Sequence, residues 1–513
     1  MSKEITSGSV SRRSFLLKST MGAAALTSGF ISPLFIKAST VKSSVSRLLP
    51  GAGDNDTIHT AKRNIPKIRM REAEISLLDR NGQPLINREV KIEQLKHQFL
   101  FGDDNWSIAR MFRNGQINHD KAKYWRKRFS DLFNAQLTTV YWTERPGNDA
   151  TKTEDFQGDL QMDDFNDSVD WANANGLTAK GHPICWTVPK AIPEWIKQYP
   201  METFMKFLEV RVRDLCARYK GKVQLWDAVN EMLWETAPRN LTIRKWPYTE
   251  TMENMVEYIS LVLKWAREED PDAMYCINDY GLGRSDKEKL IDQNGDVVTA
   301  ARQRKRFIEL AKRLGDAGYP PSLLGDQTRP AWLFPSDQVA IYDELSEAGI
   351  PLSVTEFWAD NNELRAIPGE KFMEYEEWSK MKGKSAGKEF SEDEFEQIRD
   401  EFIVNFLTCA FGHPSIHSFF FGGFFDNAKI FTRENSSHTL KPIYNKLHDL
   451  THKEWNTSLT LKTDSNGMVS FRGYCGDYSI RIKNDMENAP GLGIKFRIDK
   501  DYDPNKRVFK TIL

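Results

Sequence analysis

The stretch V-Q-L-W-D-A-V-N-E-M, Val223 to Met232, decides the fold. It opens as a mostly apolar run with β-branched residues, the pattern of a strand that is buried on both faces of a parallel sheet. Polar residues, Asn230 and Glu231, follow where the strand ends, and α/β barrels carry their chemistry at the carboxyl ends of their strands. Because Trp226 and Trp234 flank this glutamate, exclusion of water would favour its protonated form and suit it to donate a proton. A glutamate that caps a helix or forms a salt bridge at the end of a core strand is the structural alternative.

A second stretch of the same kind lies further along the chain. The run from Gly349 to Glu356, G-I-P-L-S-V-T-E, also ends an apolar strand pattern with a glutamate. Two carboxylates at the carboxyl ends of two barrel strands form the pair that cleavage of a glycosidic bond needs. One of them protonates the leaving oxygen, while the other attacks the sugar or activates water. We therefore hypothesise that Glu231 and Glu356 are the catalytic pair.

Between these stretches and on either side of them, strands and helices alternate, which is typical of a parallel barrel. The predicted strands are residues 98–101, 137–142, 179–184, 223–229, 274–277, 323–327, 352–355 and 418–421. The predicted helices lie near residues 119–133, 163–175, 201–219, 250–269, 298–316, 336–348, 391–411 and 439–451. The pattern predicts an α/β fold, a (β/α)8 TIM barrel over residues 97–452.

Both ends of the predicted barrel carry antiparallel β signals. Strand patterns at residues 73–78 and 89–95 flank the turn Asp79-Arg80-Asn81-Gly82. At the other end, strand patterns at residues 459–462, 469–471 and 478–482 accompany the turn Asp464-Ser465-Asn466-Gly467. We predict that residues 66–96 and 453–513 pack together as one small accessory β module; two unrelated additions are the alternative.

The amino terminus has the pattern of an export signal. Residues 1–38 contain S-R-R-S-F-L-L-K at Ser11 to Lys18, followed by a short apolar segment, and this resembles a twin-arginine signal peptide. An ordinary Sec signal is the competing interpretation. Residues 39–65, rich in Ser, Asp and Gly, are predicted to form a flexible linker. We expect an exported protein, periplasmic or extracellular, with no membrane segment in its mature form.

Composition narrows the function further. In 513 residues, 71 Lys and Arg balance 72 Asp and Glu, which excludes a strongly basic nucleic-acid binder. Five widely spaced cysteines predict buried thiols and neither a disulfide framework nor a metal site. Nine histidines occur without H-x-H or H-E-x-x-H spacing, so we expect no metal and no cofactor. We expect a monomer.

Four motifs occur together in order along the chain: G-H-P-I-C-W at 181–186, W-D-A-V-N-E at 226–231, I-N-D-Y at 277–280 and T-E-F at 355–357. Together they resemble glycoside hydrolase family 10, the endo-1,4-β-xylanase family, over roughly residues 99–450. The resemblance implies a (β/α)8 barrel and a retaining mechanism.

The resemblance also implies residue roles. Glu231 resembles the acid/base and Glu356 the nucleophile. Asn230 resembles the residue that contacts the sugar 2-hydroxyl, and His182 and Trp186 resemble residues that line the subsite of the cleaved sugar. For His182, a core histidine bonded to a neighbouring strand is the structural alternative.

Other strand ends offer supporting groups. Tyr141 and Trp142 end the second strand, where they could form an aromatic wall for the sugar. Asn278 and Asp279 end the fifth strand, where they could bind substrate or orient Glu231; we favour orientation.

Three departures from the family pattern concern substrate binding. The sixth strand ends Gln327-Thr328-Arg329 in place of the usual Gln-Ser-His, which would set a fixed positive charge beside the nucleophile. T-E-R-P at 143–146 replaces the Glu-Asn pair and nearby lysine that grip xylan. The tryptophans of the eighth strand appear as Phe421, Phe424 and Phe425. A charged insertion at residues 359–395 follows the seventh strand, where it could overhang the cleft; disorder at its tip, residues 380–388, is the alternative.

We therefore expect an exported retaining β-glycoside hydrolase whose partner is a plant cell-wall polysaccharide, most simply an endo-1,4-β-xylanase acting on xylan or a related β-glycan. The alternative is a catalytically impaired carbohydrate-binding protein on the same barrel.

Overall fold

A computed structural model describes the part of the chain on which the fold depends. The described residues are 52–104, 108, 115, 118–143, 152–188, 191–233, 251–283, 289–291, 297–328, 335–357, 392–422, 431, 439–482, 493–501 and 509–510. They all fall within one compact unit, residues 44–513. The predicted signal peptide, residues 1–38, lies outside them.

Eight parallel strands close into a barrel. They are β3 (Leu100–Asp104), β4 (Ala135–Thr139), β5 (Thr178–His182), β6 (Leu225–Asn230), β7 (Met274–Asp279), β10 (Leu323–Asp326), β11 (Leu352–Phe357) and β12 (Ile416–Phe421). Their order around the barrel follows the chain, and β12 pairs with β3 to close it. Each of the eight predicted strands overlaps one of these, which confirms the predicted fold class.

Helices separate the barrel strands along the chain. They are α2 (His119–Leu132), α3 (Asp163–Ala174), the short α4 (Glu194–Lys197), α5 (Met201–Arg218), α6 (Met252–Glu269), α7 (Ala300–Asp316), α8 (Pro335–Ser346), α9 (Glu392–Phe411) and α10 (Pro442–Asp449). Three of them begin at a side-chain cap, because Asn118, Thr251 and Thr299 each accept a hydrogen bond from the backbone N–H three residues later. A small hairpin, β8 (Lys289–Ile291) with β9 (Val297–Thr299), precedes α7.

The barrel strands divide their side chains between two apolar layers. Inside the barrel, a small cluster includes Leu137, Leu225, Cys276 and Phe420. A far larger cluster, which includes residues of the flanking helices, fills the space between the strands and those helices. Because successive side chains along a strand point to opposite faces, only every second residue points inward, where it can reach the site at the barrel mouth.

The accessory module is a two-sheet β structure built from both ends of the barrel. Its strands are β1 (Met70–Leu78), β2 (Glu89–His97), β13 (Ser458–Lys462), β14 (Met468–Tyr474), β15 (Gly476–Ile482), β16 (Ile494–Ile498) and β17 (Phe509–Lys510). One sheet has the order β14-β1-β17 and the other β13-β2-β15-β16, with an apolar core between them that includes Ile75, Ile92, Tyr478 and Phe496. The β1 and β2 strands do not pair with each other, because each pairs with strands from the carboxyl end.

The prediction of a flexible linker up to residue 65 is wrong for its second half. Residues Ala52–Arg69 form helix α1, whose side chains Ile58, Ala61 and Ile65 are buried. At the end of this helix, the Arg69 guanidinium donates hydrogen bonds to the carbonyls of Phe411, His413 and Ile416 at 2.7–2.9 Å. The helix is therefore part of the barrel's packing.

The prediction of buried thiols is confirmed, because all five cysteines are free and buried. Among the described residues, no helix has the length and apolar character needed to cross a bilayer.

Candidate active site

The two glutamates each follow an irregularity in their strand. In β6, Asp227 pairs with Cys276 and Val229 pairs with the very next residue of β7, so one extra residue bulges from β6 just before Asn230 and Glu231. In β11, a second register shift falls between Val354 and Phe357 and encloses Glu356. A bulge changes the face to which the following side chains point. Both strands thus depart from strict alternation at the residues proposed for chemistry.

Glu231 lies in a conformation that few non-glycine residues adopt. Its φ is 59°, in the left-handed region, and its backbone N–H donates to the carbonyl of Asn278 at 2.7 Å. The side chain is 5% exposed, and its Oε1 accepts a hydrogen bond from Gln327 Nε2 at 3.1 Å. Strained backbone at a buried polar residue is a feature of functional sites.

Asn278 connects the residues that precede the two glutamates. Its Nδ2 donates to Asn230 Oδ1 at 2.9 Å, and its Oδ1 accepts from Thr355 Oγ1 at 2.5 Å. The link crosses β10 at Gly325, where a Cβ would lie 2.5 Å from Asn278 Oδ1. The Asn230 Oδ1 also accepts from Gln327 Nε2 at 3.1 Å, so its Nδ2 is the group that can donate to a ligand.

His182 stands beside Glu356. Its Nε2 lies 3.9 Å from Glu356 Oε1, and its Nδ1 lies 2.7 Å from Asp227 Oδ2. The Glu356 side chain is 12% exposed, so it keeps access to solvent and to a ligand. The same Asp227 oxygen is 3.0 Å from Lys180 Nζ, and burial of that pair is complete. Burial alone would raise the pKa of Asp227, but Lys180 and His182 together hold it below its usual value.

An aromatic corner adjoins this histidine. The Tyr141 ring stands edge-on to His182 at 5.9 Å between centroids and lies 5.5 Å from the Trp186 ring. The Lys152 Nζ lies 4.3 Å from the centroid of the Tyr141 ring, within cation–π distance. The residues of the site thus lie at or just beyond the carboxyl ends of barrel strands. They are Asn230, Glu231, Glu356, His182, Gln327, Tyr141 and Trp186.

Two residues predicted to bind substrate point elsewhere. Trp142 follows Tyr141, so it faces the helix layer, where it is 4% exposed, packs near Phe204 and donates its Nε1–H to Glu154 at 2.6 Å. Phe421 is 2% exposed among other aromatic rings of the outer core, whereas Phe420 points into the barrel. The prediction that Trp142 and Phe421 line the sugar site is therefore wrong, because alternation along the strand turns them outward.

Of the remaining predicted site residues, the structure describes Asp279 but not the others. Asp279 accepts hydrogen bonds from the backbone N–H of Leu233 and of Tyr280, so it holds the chain just beyond Glu231. Outside the described residues lie Arg329, Phe424, Phe425, residues 144–146, and the insertion 359–395 as far as residue 391. Within the described ranges, no three His, Cys, Asp or Glu side chains gather where they could hold a metal ion.

Three residues of the site escaped the sequence analysis: Lys180, Asp227 and Thr355. Each is polar and fully or almost fully buried inside a strand. A charged residue within an otherwise apolar strand was the available signal, since burial of a charge requires a partner. The pattern could not name that partner, because it comes from a neighbouring strand.

The comparison with protein families bears on residues 125–357, which match the family model described as glycosyl hydrolase family 10. This segment belongs to glycosyl hydrolase family 10. The matched segment of the family 10 domain contains Glu231, Glu356 and all the contacts described between them, and it ends before β12 and the carboxyl-terminal part of the module. The resemblance stated from the motifs is thereby confirmed.

Curated relatives of this family 10 domain are distant. Endo-1,4-beta-xylanase 1 of Arabidopsis thaliana is 22% identical over 82% of this chain and 37% of its own length. Anti-sigma-I factor RsgI6 of Acetivibrio thermocellus is 22% identical over 88% of this chain and 49% of its own. Beta-1,4-xylanase of Dictyoglomus thermophilum is 30% identical over 38% of this chain and 51% of its own. The chain thus spans between about a third and a half of the length of these relatives.

Among solved structures, xylanase 10B from Thermotoga petrophila RKU-1 in complex with xylobiose is similar, with a TM-score of 0.47 and 16% identity, over 69% of this chain and 95% of that one. A family 10 structure from Paenibacillus barcinonensis has a TM-score of 0.48 and 18% identity, over 69% and 95%.

Proposed function

We propose that this protein is a retaining β-glycoside hydrolase that cleaves a plant cell-wall polysaccharide, most simply an endo-1,4-β-xylanase. The observation that supports this most strongly is the connection between the strand ends of Glu231 and Glu356. Asn278 bonds the residue before each glutamate, Gln327 bonds Glu231 itself, and His182 stands beside Glu356. The relatives named as xylanases support the choice of substrate class.

Each glutamate has a distinct role in the proposed reaction. Glu356 attacks the anomeric carbon, and the bond to the leaving oxygen breaks as Glu231 gives that oxygen its proton. The covalent glycosyl–enzyme that forms is then hydrolysed by water, from which Glu231 now removes a proton. Asn230, with its Nδ2 directed by two donors on its Oδ1, is placed to donate to a sugar hydroxyl at the same time. The hydrogen bond from Asn230 to the sugar hydroxyl would become stronger as the transition state forms.

The first test is hydrolysis of an aryl β-xylobioside and of xylan by the wild type, Glu356→Ala and Glu231→Ala. Loss of the nucleophile should abolish turnover of both substrates, by about 10⁴-fold or more. Loss of the acid should spare an aryl substrate with a good leaving group more than it spares xylan, because such a leaving group needs little protonation. Equal rates for the wild type and Glu356→Ala would contradict the proposal.

The retaining course has its own test. Proton NMR of the first product should show the β anomer before mutarotation sets in, because two successive displacements at the anomeric carbon restore its configuration. An α product first would indicate an inverting reaction, in which Glu356 activates water instead. A protein that binds xylan tightly and turns over no glycoside would instead support the carbohydrate-binding alternative.

We also propose that the protein is exported through its amino-terminal segment, because residues 11–18 carry the paired-arginine pattern. Fusion of residues 1–38 to a reporter that is active only after folded export tests this. No activity of this reporter in the exported fraction would favour the Sec alternative, and activity that Arg12→Lys/Arg13→Lys leaves unchanged would contradict a twin-arginine signal. We expect a monomer, which light scattering coupled to gel filtration would measure.

A further inference from the structure

The barrel contains a fully buried ion pair below the proposed nucleophile. Lys180 Nζ and Asp227 Oδ2 are 3.0 Å apart, and both side chains have no exposure. The Lys180 ammonium also lies 4.8 Å from the centroid of the Phe420 ring. Apolar residues of similar volume often serve stability as well as a buried ion pair does. The pair therefore invites a functional explanation.

One oxygen of Asp227 serves two partners. The Oδ2 that lies 3.0 Å from Lys180 Nζ also lies 2.7 Å from His182 Nδ1. Since an ionised carboxylate can only accept, His182 carries its proton on Nδ1. Its other nitrogen, Nε2, faces Glu356 Oε1 at 3.9 Å. The charge state of the imidazole therefore acts directly on Glu356.

Two carboxylates, Asp227 and Glu356, face His182 and favour an imidazolium. An imidazolium would in turn form an ion pair with Glu356 and weaken it as a nucleophile. We propose that Lys180 is a positioning residue that offsets the charge of Asp227 and so keeps His182 neutral beside Glu356. This inference rests on the proposed function, because it concerns the strength of Glu356 as a nucleophile.

Among the described residues, other titratable side chains also adjoin this network. The rings of Tyr141 and His182 are nearly perpendicular, with centroids 5.9 Å apart, and Lys152 Nζ lies 4.3 Å from the Tyr141 centroid. The Cys276 thiol neighbours Asp227, and burial raises its pKa well above the usual value, so it adds no charge. Among the described groups in contact with Asp227, Lys180 supplies the fixed positive charge.

The test measures the His182 pKa by ¹⁵N NMR of histidine-labelled full-length protein, alongside the pH profile of kcat/KM. Lys180→Met keeps a side chain of similar length but removes the charge, so the His182 pKa should rise by about one unit. The acid limb of the pH profile should move upward by the same amount. Asp227→Asn should shift both in the opposite direction, and the double variant Lys180→Met/Asp227→Asn should return both towards the wild-type values.

The controls separate charge from packing. Lys180→Arg keeps the charge and should retain the wild-type profile. Lys222→Met removes an exposed lysine that pairs with Asp170 on the surface and should change neither reading. If Lys180→Met does not fold, Asp227→Asn and the double variant still test the inference. The inference requires a lower His182 pKa in Asp227→Asn than in the double variant.

A His182 pKa and an acid limb that stay at wild-type values in folded Lys180→Met would overturn the inference. So would a double variant that shifts as far as Lys180→Met alone. The NMR titration does not need turnover, so a protein without hydrolase activity would contradict the proposed function while leaving the Lys180 effect on His182 measurable.

Discussion

Asn278 donates its Nδ2–H to Asn230 Oδ1 at 2.9 Å, and with its Oδ1 it accepts from Thr355. One amide on β7 therefore holds the residues that precede both proposed catalytic glutamates. Their separation depends on a side chain that itself has no role in proton transfer or attack.

Replacement of Asn278 should lower turnover more than binding. In Asn278→Ala, the strand ends that carry Glu231 and Glu356 lose their connection, and we expect kcat to fall about 10²-fold with a smaller change in KM. Thr355→Val removes only one of the two bonds and should cost less. The measurement is steady-state hydrolysis of an aryl β-xylobioside. Wild-type kcat in a folded Asn278→Ala protein would show that the separation does not depend on this amide.

The backbone strain at Glu231 predicts a stability order between two inactive variants. Glycine adopts a φ of 59° without steric cost, whereas alanine does not. We expect Glu231→Gly to be more stable than Glu231→Ala by about 1 kcal/mol. Both variants lose the same carboxylate, so the difference isolates the backbone. Urea unfolding of the two proteins measures it, and an equal or reversed order would argue against strain at this residue.

Tyr141 and Trp142 form a matched pair for substrate binding. Tyr141 faces His182 and Trp186, so Tyr141→Ala should raise KM about tenfold, as expected for the loss of one aromatic contact. Trp142 faces the helix layer, so Trp142→Phe should lower the free energy of unfolding by about 1 kcal/mol through loss of the bond to Glu154 and leave KM unchanged. The opposite pattern would mean that the indole, and not the phenol, reaches the sugar.

Arg69 predicts a large effect on stability from a residue far in sequence from its partners. Arg69→Ala would remove the guanidinium hydrogen bonds to three carbonyls, at a cost of about 3 kcal/mol. Arg63 on the same helix is exposed, and Arg63→Ala should change stability by less than about 0.5 kcal/mol. Thermal denaturation compares the two variants. Similar melting temperatures would show that helix α1 contributes little to the barrel.

His97 predicts loss of stability in acid. Burial among the rings of Phe101, Phe411 and Tyr474 lowers the pKa of this histidine to about 4. The unfolded chain takes up the proton near pH 6.5, so stability falls as the pH drops from about 6.5 to 4.

The measurement is urea unfolding at several pH values. Over that window the contribution of His97 amounts to about 3 kcal/mol. His97→Phe removes the titration, so its stability should depend less steeply on pH than that of the wild type. Parallel pH dependences for the two proteins would assign the acid sensitivity to other groups.

The sequence predicted the elements of the barrel well, because their signals are local. Apolar runs and amphipathic periods depend on neighbouring residues, and helix α5, for example, was expected at residues 201–219 and spans Met201–Arg218. Helix α1 was missed because Gly53, Asp54 and Asp56 near its start and an internal Pro66 weaken its local signal. Its stability comes from tertiary contacts of Ile58, Ala61 and Arg69, which no local pattern contains.

The motifs predicted which residues belong to the site, but the strand register decides which of those side chains face it. Parity along a strand separates Tyr141 from Trp142 and Phe420 from Phe421, but the phase of that alternation depends on the neighbouring strands. The bulges before Glu231 and around Glu356 are likewise defined only by the partner strand. Lys180 and Asp227 illustrate the same limit, since each is explained by a side chain from the adjacent strand.

The accessory module has a consequence for how the protein is made. Strand β2 is synthesised before the barrel, yet it lies between β13 and β15, which are synthesised after the barrel. Its hydrogen-bonding edges therefore stay unpaired throughout synthesis of the barrel, and unpaired edges invite aggregation and proteolysis. A nascent chain, or a chain truncated before β13, thus exposes the unpaired edges of β2. Synthesis of β13 and β15 then allows both edges of β2 to pair.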